Sequence, residues 1–199
     1  MENYLIINGK RINLTEEQIR TLTGGSNEMV LVDKSVGQTF KIGEHEFFVL
    51  EQMGDQTAVL MKDLLEDEVK FGNGNNYESS DVDNMCREFG DKIAEIVGAD
   101  NLIEHTVDLT ADDGLKCYGS IKRKMSLLTA EQYRKYVYII DEHKLDKWWW
   151  LATAFSTAKR NVTDWVKCVS PFGSINSNYH YDDFGVRPFC ILKSNIFVS

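Results

Sequence analysis

Proton transfer, thiol chemistry and aromatic recognition each have candidate residues in this chain, and the spacing of those residues decides between them. His143 and His180 carry side chains that titrate near neutral pH and would suit a general base. Neither stands beside a nucleophile that the sequence identifies. Cys86, Cys117, Cys168 and Cys190 are too widely spaced for a CxxC zinc or redox motif. There is no Gly-x-Ser-x-Gly elbow, no HExxH, no phosphate loop and no paired catalytic carboxylate motif. The sequence therefore predicts a protein without enzymatic activity, cofactor or metal.

Recognition is the better-supported chemistry. Residues 168–185, "CVSPFGSINSNYHYDDFG", mix Tyr, Ser, Asn and Gly with acidic side chains, the composition of adaptable binding loops. Tyr179, His180 and Tyr181 would anchor a ligand, and Ser174, Asn176 and Asn178 would hydrogen-bond it. In an extended loop Tyr179 and Tyr181 face one way and His180 the other.

Net charge gives a second candidate surface. The balance of 22 basic against 31 acidic side chains leaves a charge of −9, which repels phosphate backbones. A protein partner is expected, and direct nucleic-acid binding is not. Lys122, Arg123 and Lys124 form the one compact basic cluster, without interleaved aromatics, and are expected to be solvated. Asp63, Glu66, Asp67 and Glu68 form an acidic run that would suit a basic groove in a partner, including one that otherwise holds nucleic acid. Asp81 and Asp83 lack the D-x-[DN]-x-[DN]-G pattern of a calcium loop and are expected to cap a helix. His45 falls in a turn and is expected to be exposed.

The elements that must hold these residues read as follows. "YLIINGKRINLT" predicts a hairpin around Asn8-Gly9, followed by a short helix capped by Thr15 and stopped at Gly24-Gly25. Residues 1–30 form this small module, and residues 36–199 the main domain. Four apolar residues before Asn8 are too few for a signal peptide or membrane span, so the expected location is the cytoplasm, with reduced thiols. Residues 39–65 alternate as a three-strand meander with turns at Gly43-Glu44 and Gly54-Asp55. Val82, Met85, Cys86, Phe89, Ile93 and Ile96 predict a helix over 81–97, capped by Ser79 or Ser80 and ended by Gly98. Thr129 and Gln132 predict a capping box on a helix that buries Tyr133, Tyr136 and Val137.

From Trp148 the texture becomes short strands. Strand alternation puts Trp148 and Trp150 on one face and Trp149 on the other, which excludes a single platform of three indoles. Two of the three are expected in the core. The strand regions 39–62 and 148–192 are expected to join in one sheet, with Phe89 and Ile93 packed on it. Cys168 and Cys190 would then lie on neighbouring strands.

Taken in order, Trp149-Trp150-Leu151-x-Thr153, Trp165-Val166, Gly173-Ser174-Ile175, Tyr179 and Gly185-Val186-Arg187-Pro188 resemble an uncharacterised domain family of bacteria and their phages. That family carries WWLR-S/T, then V-x-x-x-G-x-I, then GVRPA. The likeness extends upstream through residues 42–63, the 79–89 helix and "SLLTAEQYRKY", and covers about residues 36–192. Ala152 and Ala154 stand where the family has Arg and Pro. The family is similar to the C-type-lectin-like fold shared by formylglycine-generating enzymes and the variable proteins of diversity-generating retroelements. The resemblance implies an α+β fold: a twisted antiparallel sheet with two main helices, ligands bound on C-terminal loops, and phage or prophage origin. It implies a structural role for Trp149, Trp150 and Arg187, the last with Asp182 or Asp183 as partner. The closely spaced cysteines of the formylglycine-generating branch are missing, because Cys168 and Cys190 are 22 residues apart. The Glu-Pro-Asn and Trp-Asn-Asp motifs of calcium-dependent lectins are missing too. An inhibitor of a host defence system, acting through the acidic run in the host cytoplasm, is the alternative reading.

Overall fold

A computed structural model describes residues 4–7, 10–13, 29–78 and 80–199. At the N-terminus β1 (Tyr4–Ile7) and β2 (Lys10–Asn13) pair antiparallel, with Ile7 opposite Lys10. That register leaves two residues for the connection, as the hairpin reading requires. The Asn8-Gly9 turn itself and the helix expected from Thr15 lie outside the described residues. β3 (Met29–Val30) pairs with the last strand, β17 (Phe197–Val198).

The predicted meander forms as β4 (Thr39–Ile42), β5 (His45–Gln52) and β6 (Gln56–Met61). Gly43 and Gly54 hold the positive φ values that its two turns demand, 59° and 76°. β16 (Phe189–Lys193) lies along β6, and β8 (Leu102–Ile103) and β11 (Met125–Ser126) pair with β16 to complete a six-stranded sheet. Both faces of this sheet are buried. Phe47, Val49, Val59 and Cys190 meet Val82, Cys86, Phe89 and Ile93 of α1 (Asp81–Val97). Phe48, Leu50, Leu60 and Phe189 meet Tyr133, Tyr136 and Ile140 of α2 (Ala130–Glu142). Alternate strand residues thus serve opposite cores, which is why residues 47–50 and 58–61 are continuous apolar runs in place of the expected apolar–polar alternation. Both helix starts match expectation: Ser80 accepts from Asp83 N, and Thr129 and Gln132 close a capping box. Ile96 departs from it, 55% exposed at the frayed end of α1.

A second sheet runs β14 (Ile175–Tyr179), β13 (Trp165–Val169), β12 (Trp149–Ala154), β15 (Asp183–Val186) and β7 (Glu66–Lys70). β9 (His105–Asp108) and β10 (Ser120–Arg123) form a separate hairpin-like pair. The expectation of one joined sheet is therefore corrected. Strands of 149–186 form their own sheet, and only β16 crosses into the first. Pro188 marks the crossover: it lacks an N–H to continue the β15 ladder, and its carbonyl accepts from Met61 N at 2.9 Å. The two sheets share both cores all the same. Trp150, Val166 and Cys168 enter the α1 core, and Trp149, Leu151 and Val169 the α2 core.

The indole run is thereby split by strand parity, as expected. Trp149 and Trp150 are 2% and 0% exposed, on opposite faces. Trp150 Nε1 donates to Val69 O at 2.8 Å, so its one polar atom is satisfied. Trp148 shares Trp150's side and stacks on Phe184 at 5.4 Å, only partly covered.

Candidate functional site

The C-terminal recognition residues fall on β14 and the turn that follows it. Trp165 and Tyr179 are directly opposed across β13 and β14, with ring centroids 4.3 Å apart. Tyr181 stacks on Tyr179 at 4.9 Å and 9°, so the phenol rings lie nearly parallel. Both tyrosines reach solvent, at 36% and 50% exposure. Single exposed aromatics need no explanation, but here two exposed parallel phenols stand beside a half-buried indole tilted 40° to Tyr179, as one contiguous aromatic surface.

The turn holding Tyr181 is fixed on both sides. Asp182 N donates to Tyr179 O at 2.9 Å, and Tyr179 N donates to Asp182 Oδ2 at 3.2 Å. His180 N donates to Asp164 O, and His180 O accepts from Phe71 N. His180 Nδ1 donates to Gly72 O at 2.8 Å. His180 thus ties the turn to residues 71–72, and its ring meets Tyr181 edge-on at 5.1 Å instead of facing away from the tyrosines as expected. Loss of hydration pushes the Tyr181 phenol above its usual range, helped by Tyr179 and by the carboxylates of Asp182 and Asp164. The stack sits in a negative field.

Ser174, Asn176 and Asn178 make mostly local bonds. Ser174 Oγ lies 2.7 Å from Ser170 Oγ, and Asn176 Nδ2 donates to Ser174 O at 3.1 Å. Asn178 Nδ2 donates to Cys168 Sγ at 3.3 Å. The amides of Asn176 and Asn178 lie on the face opposite Tyr179, which leaves Ile175, Ser177 and Tyr179 as the β14 residues on the aromatic side.

His143, the other candidate base, is also structural. Its ring stacks on Phe48 at 4.1 Å, and Nε2 donates to Gly37 O at 2.8 Å. A serine–histidine pair that no sequence spacing indicates does occur: His105 Nε2 and Ser126 Oγ are 2.9 Å apart. Ser126 Oγ also donates to Leu127 O at 3.0 Å, so the backbone competes with the imidazole for its hydroxyl proton. Both residues are buried, and burial pulls the His105 pKa down to about 4.

Three of the four thiols are buried and poorly placed to attack. Burial pushes Cys86 up to about 12 and Cys168 up to about 11, and it raises Cys190 further still. Cys168 and Cys190 are free and belong to different sheets. Cys117 is exposed and accepts from Thr157 Oγ1 at 3.4 Å.

Arg187 is fully buried, as the structural reading required, but its partners differ. Neither Asp182 nor Asp183 bonds it among the described residues. Instead Nε donates to Met61 O at 2.9 Å, and Nη2 donates to Lys62 O at 2.7 Å and to His143 O at 2.9 Å. The guanidinium also faces the rings of Phe48 and Trp149, at 5.3 and 5.4 Å. Burial lowers its pKa to about 10, while Asp63 acts to hold the charge. Sequence proximity suggested carboxylates, whereas the crossover at Pro188 supplies carbonyls.

Arg123 is a second correction. It is not solvated: Nε and Nη2 donate to Asp83 Oδ1 and Oδ2 at 2.8 and 2.7 Å. Asp83, buried in the first turn of α1, thus neutralises the centre of the basic cluster. His45 is only half-exposed and meets Phe89 edge-on at 4.8 Å.

The acidic run lies elsewhere on the second sheet. Glu66, Asp67 and Glu68 are exposed on β7, Asp63 is exposed just before it, and Asp67 pairs with Lys147. Surface hollows of 450 and 480 Å³ are lined by other residues, one by Ile42, Ile96 and Phe197, the other by Arg87, Glu104 and Lys122. Among the described residues no cluster of three His, Cys, Asp or Glu is arranged to hold a metal ion. None of their helices is long and apolar enough to cross a membrane. No family model, no curated protein and no solved structure matches the chain.

Proposed function

We propose that this protein is a non-catalytic binding module, of phage or prophage origin, that recognises a protein partner through Trp165, Tyr179 and Tyr181. The observation that carries the reading is the exposed, parallel Tyr179–Tyr181 stack held on a doubly anchored turn. Rigid aromatics presented at low entropic cost are the usual anchors of protein recognition. The tied histidines and the buried, high-pKa thiols support a role without chemistry. The phage connection rests on the Trp149-to-Pro188 signature.

Affinity capture from host lysate followed by mass spectrometry tests the reading. The Tyr179→Ala/Tyr181→Ala double variant should lose the partner while retaining the circular dichroism and thermal transition of the parent. Capture that survives the double variant overturns it.

A second reading keeps the exposed acids of β7 as the contact surface, which would suit the basic groove of a host defence protein. There, charge reversal at Asp63, Glu66 and Asp67 should abolish binding and added salt should weaken it steeply, with the tyrosines indifferent.

A further inference from the structure

An exposed strand edge invites pairing by another chain, and folded proteins normally block it with charge, proline, irregular register or a covering segment. Three outer strands of the two larger sheets are treated that way. β4 is covered, since Lys41 N donates to Ser199 O at 2.6 Å and Ser199 N returns to Lys41 O. β7 reads Glu-Asp-Glu-Val-Lys and meets β15 through a register shift. β11 is two buried residues.

β14 has none of these devices. Its sequence, Ile-Asn-Ser-Asn-Tyr, holds no charge and no proline, and it pairs with β13 over five successive residues without a shift. Among the described residues, no backbone group of 175–178 bonds to anything beyond β13. The open edge runs directly into the tyrosine stack. Asp164 and Asp183 are exposed around that stack, Asp182 is half-exposed, and none of them forms a salt bridge among the described residues. Of the cations on neighbouring strands, Lys167 is held by Asp112 at 3.2 Å, and Lys70 stands opposite Asp183 in the β7–β15 register.

We infer that β14 accepts an extended, arginine-bearing segment of the partner protein as an added strand, with a guanidinium laid on the Tyr179–Tyr181 stack and met by Asp164 and Asp182. The inference rests on the binding-surface reading above and names the chemistry of the occupant. Main-chain bonds to the edge would supply affinity. A planar cation over tyrosine faces, flanked by carboxylates, would supply selectivity for arginine. A second copy of the chain is disfavoured as occupant by its own charge of −9.

The test is a titration of the full-length, isotope-labelled chain with blocked six-residue peptides, followed by NMR. One peptide alternates arginine and threonine, a second carries glutamate for arginine, and a third is N-methylated at alternate amides. Shifts should concentrate at residues 175–181. Affinity should fall about tenfold or more for the second and third peptides, as expected for lost charge pairing and lost ladder bonds. Tyr181→Ala should also weaken the first peptide, with the spectrum otherwise that of a folded chain. Equal binding of the N-methylated peptide, shifts centred on 66–70, or no binding at millimolar peptide overturns the inference. So does self-association through β14, seen by sedimentation of the chain alone. If the peptides fail while the double tyrosine variant still loses the cellular partner, strand addition falls and the binding surface stands. If that variant captures its partner as the parent does, the binding surface itself falls.

Discussion

At one end of the five-stranded sheet β7 carries Glu66, Asp67 and Glu68, and at the other β14 carries Asn176, Ser177 and Asn178. Both strands are five residues long, and both have a single neighbour in the sheet. They differ in what they do with the free side. β7 repels another strand by like charge and breaks its own register at Phe184 to Val186. β14 presents an even, uncharged ladder that ends in stacked phenols. The contrast teaches that the longest acidic run need not be the recognition surface. The run with the most charge is explained by protection against pairing, whereas the strand with none is explained by accepting it.

The largest expected effect concerns the frame that both edges share. β12 lies between β13 and β15, and Trp149 on it is buried against Tyr133 at 5.7 Å. Trp149→Ala should cost about 3–5 kcal/mol in denaturant unfolding, as a large-to-small core change. Amide protection on β7 and β13 should fall together. Loss confined to one strand would break the idea of a common frame.

Acid should act on stability from the separate β9–β10 pair, where His105 meets Phe189 of the six-stranded sheet edge-on at 5.1 Å. His105 has an ordinary pKa of 6.5 and is pulled down to about 4 by burial. As pH falls below the unfolded value, the unfolded chain takes the proton first. Stability is therefore lost between pH 6.5 and 4, by up to about 3 kcal/mol, and is fully present above that window. His105→Asn should flatten the loss in a pH series of urea melts.

Smaller effects separate the edges. Replacing Glu66, Asp67 and Glu68 together by Thr should leave folding within about 1 kcal/mol of the parent, since Asp67–Lys147 is a surface pair. It should nevertheless raise self-association in sedimentation, because a second edge becomes open. Smallest in stability is Asn176→Lys, expected within about 0.5 kcal/mol for a surface change. It should abolish strand addition all the same, by putting on β14 the charge that guards other edges.

Much of this was legible in the residues. Both ends of α1 and the start of α2 followed from apolar spacing and from Ser80 and Thr129 as caps, because helix ends are set by local hydrogen bonding. Opposite faces for Trp149 and Trp150 followed from strand parity alone. β7 was not legible, because an outer strand with solvent on its free side needs no apolar alternation. Nor were the partners of Arg187 and Arg123. Carbonyls at Met61, Lys62 and His143 and a carboxylate at Asp83 come together only through tertiary packing, which no short-range spacing encodes. The tyrosines could be chosen from composition, but that His180 is tied to Gly72 depends on a neighbouring loop 108 residues away. The openness of β14 depends on what fails to cover it, and a strand's sequence does not report that.

Amide hydrogen exchange of the chain with and without its captured partner tests the central claim most directly. Protection gained over residues 175–181, with 66–70 unchanged, is the predicted result. Protection gained over 66–70 with 175–181 exchanging as in the free chain would contradict it, and would move the binding surface to the acidic edge.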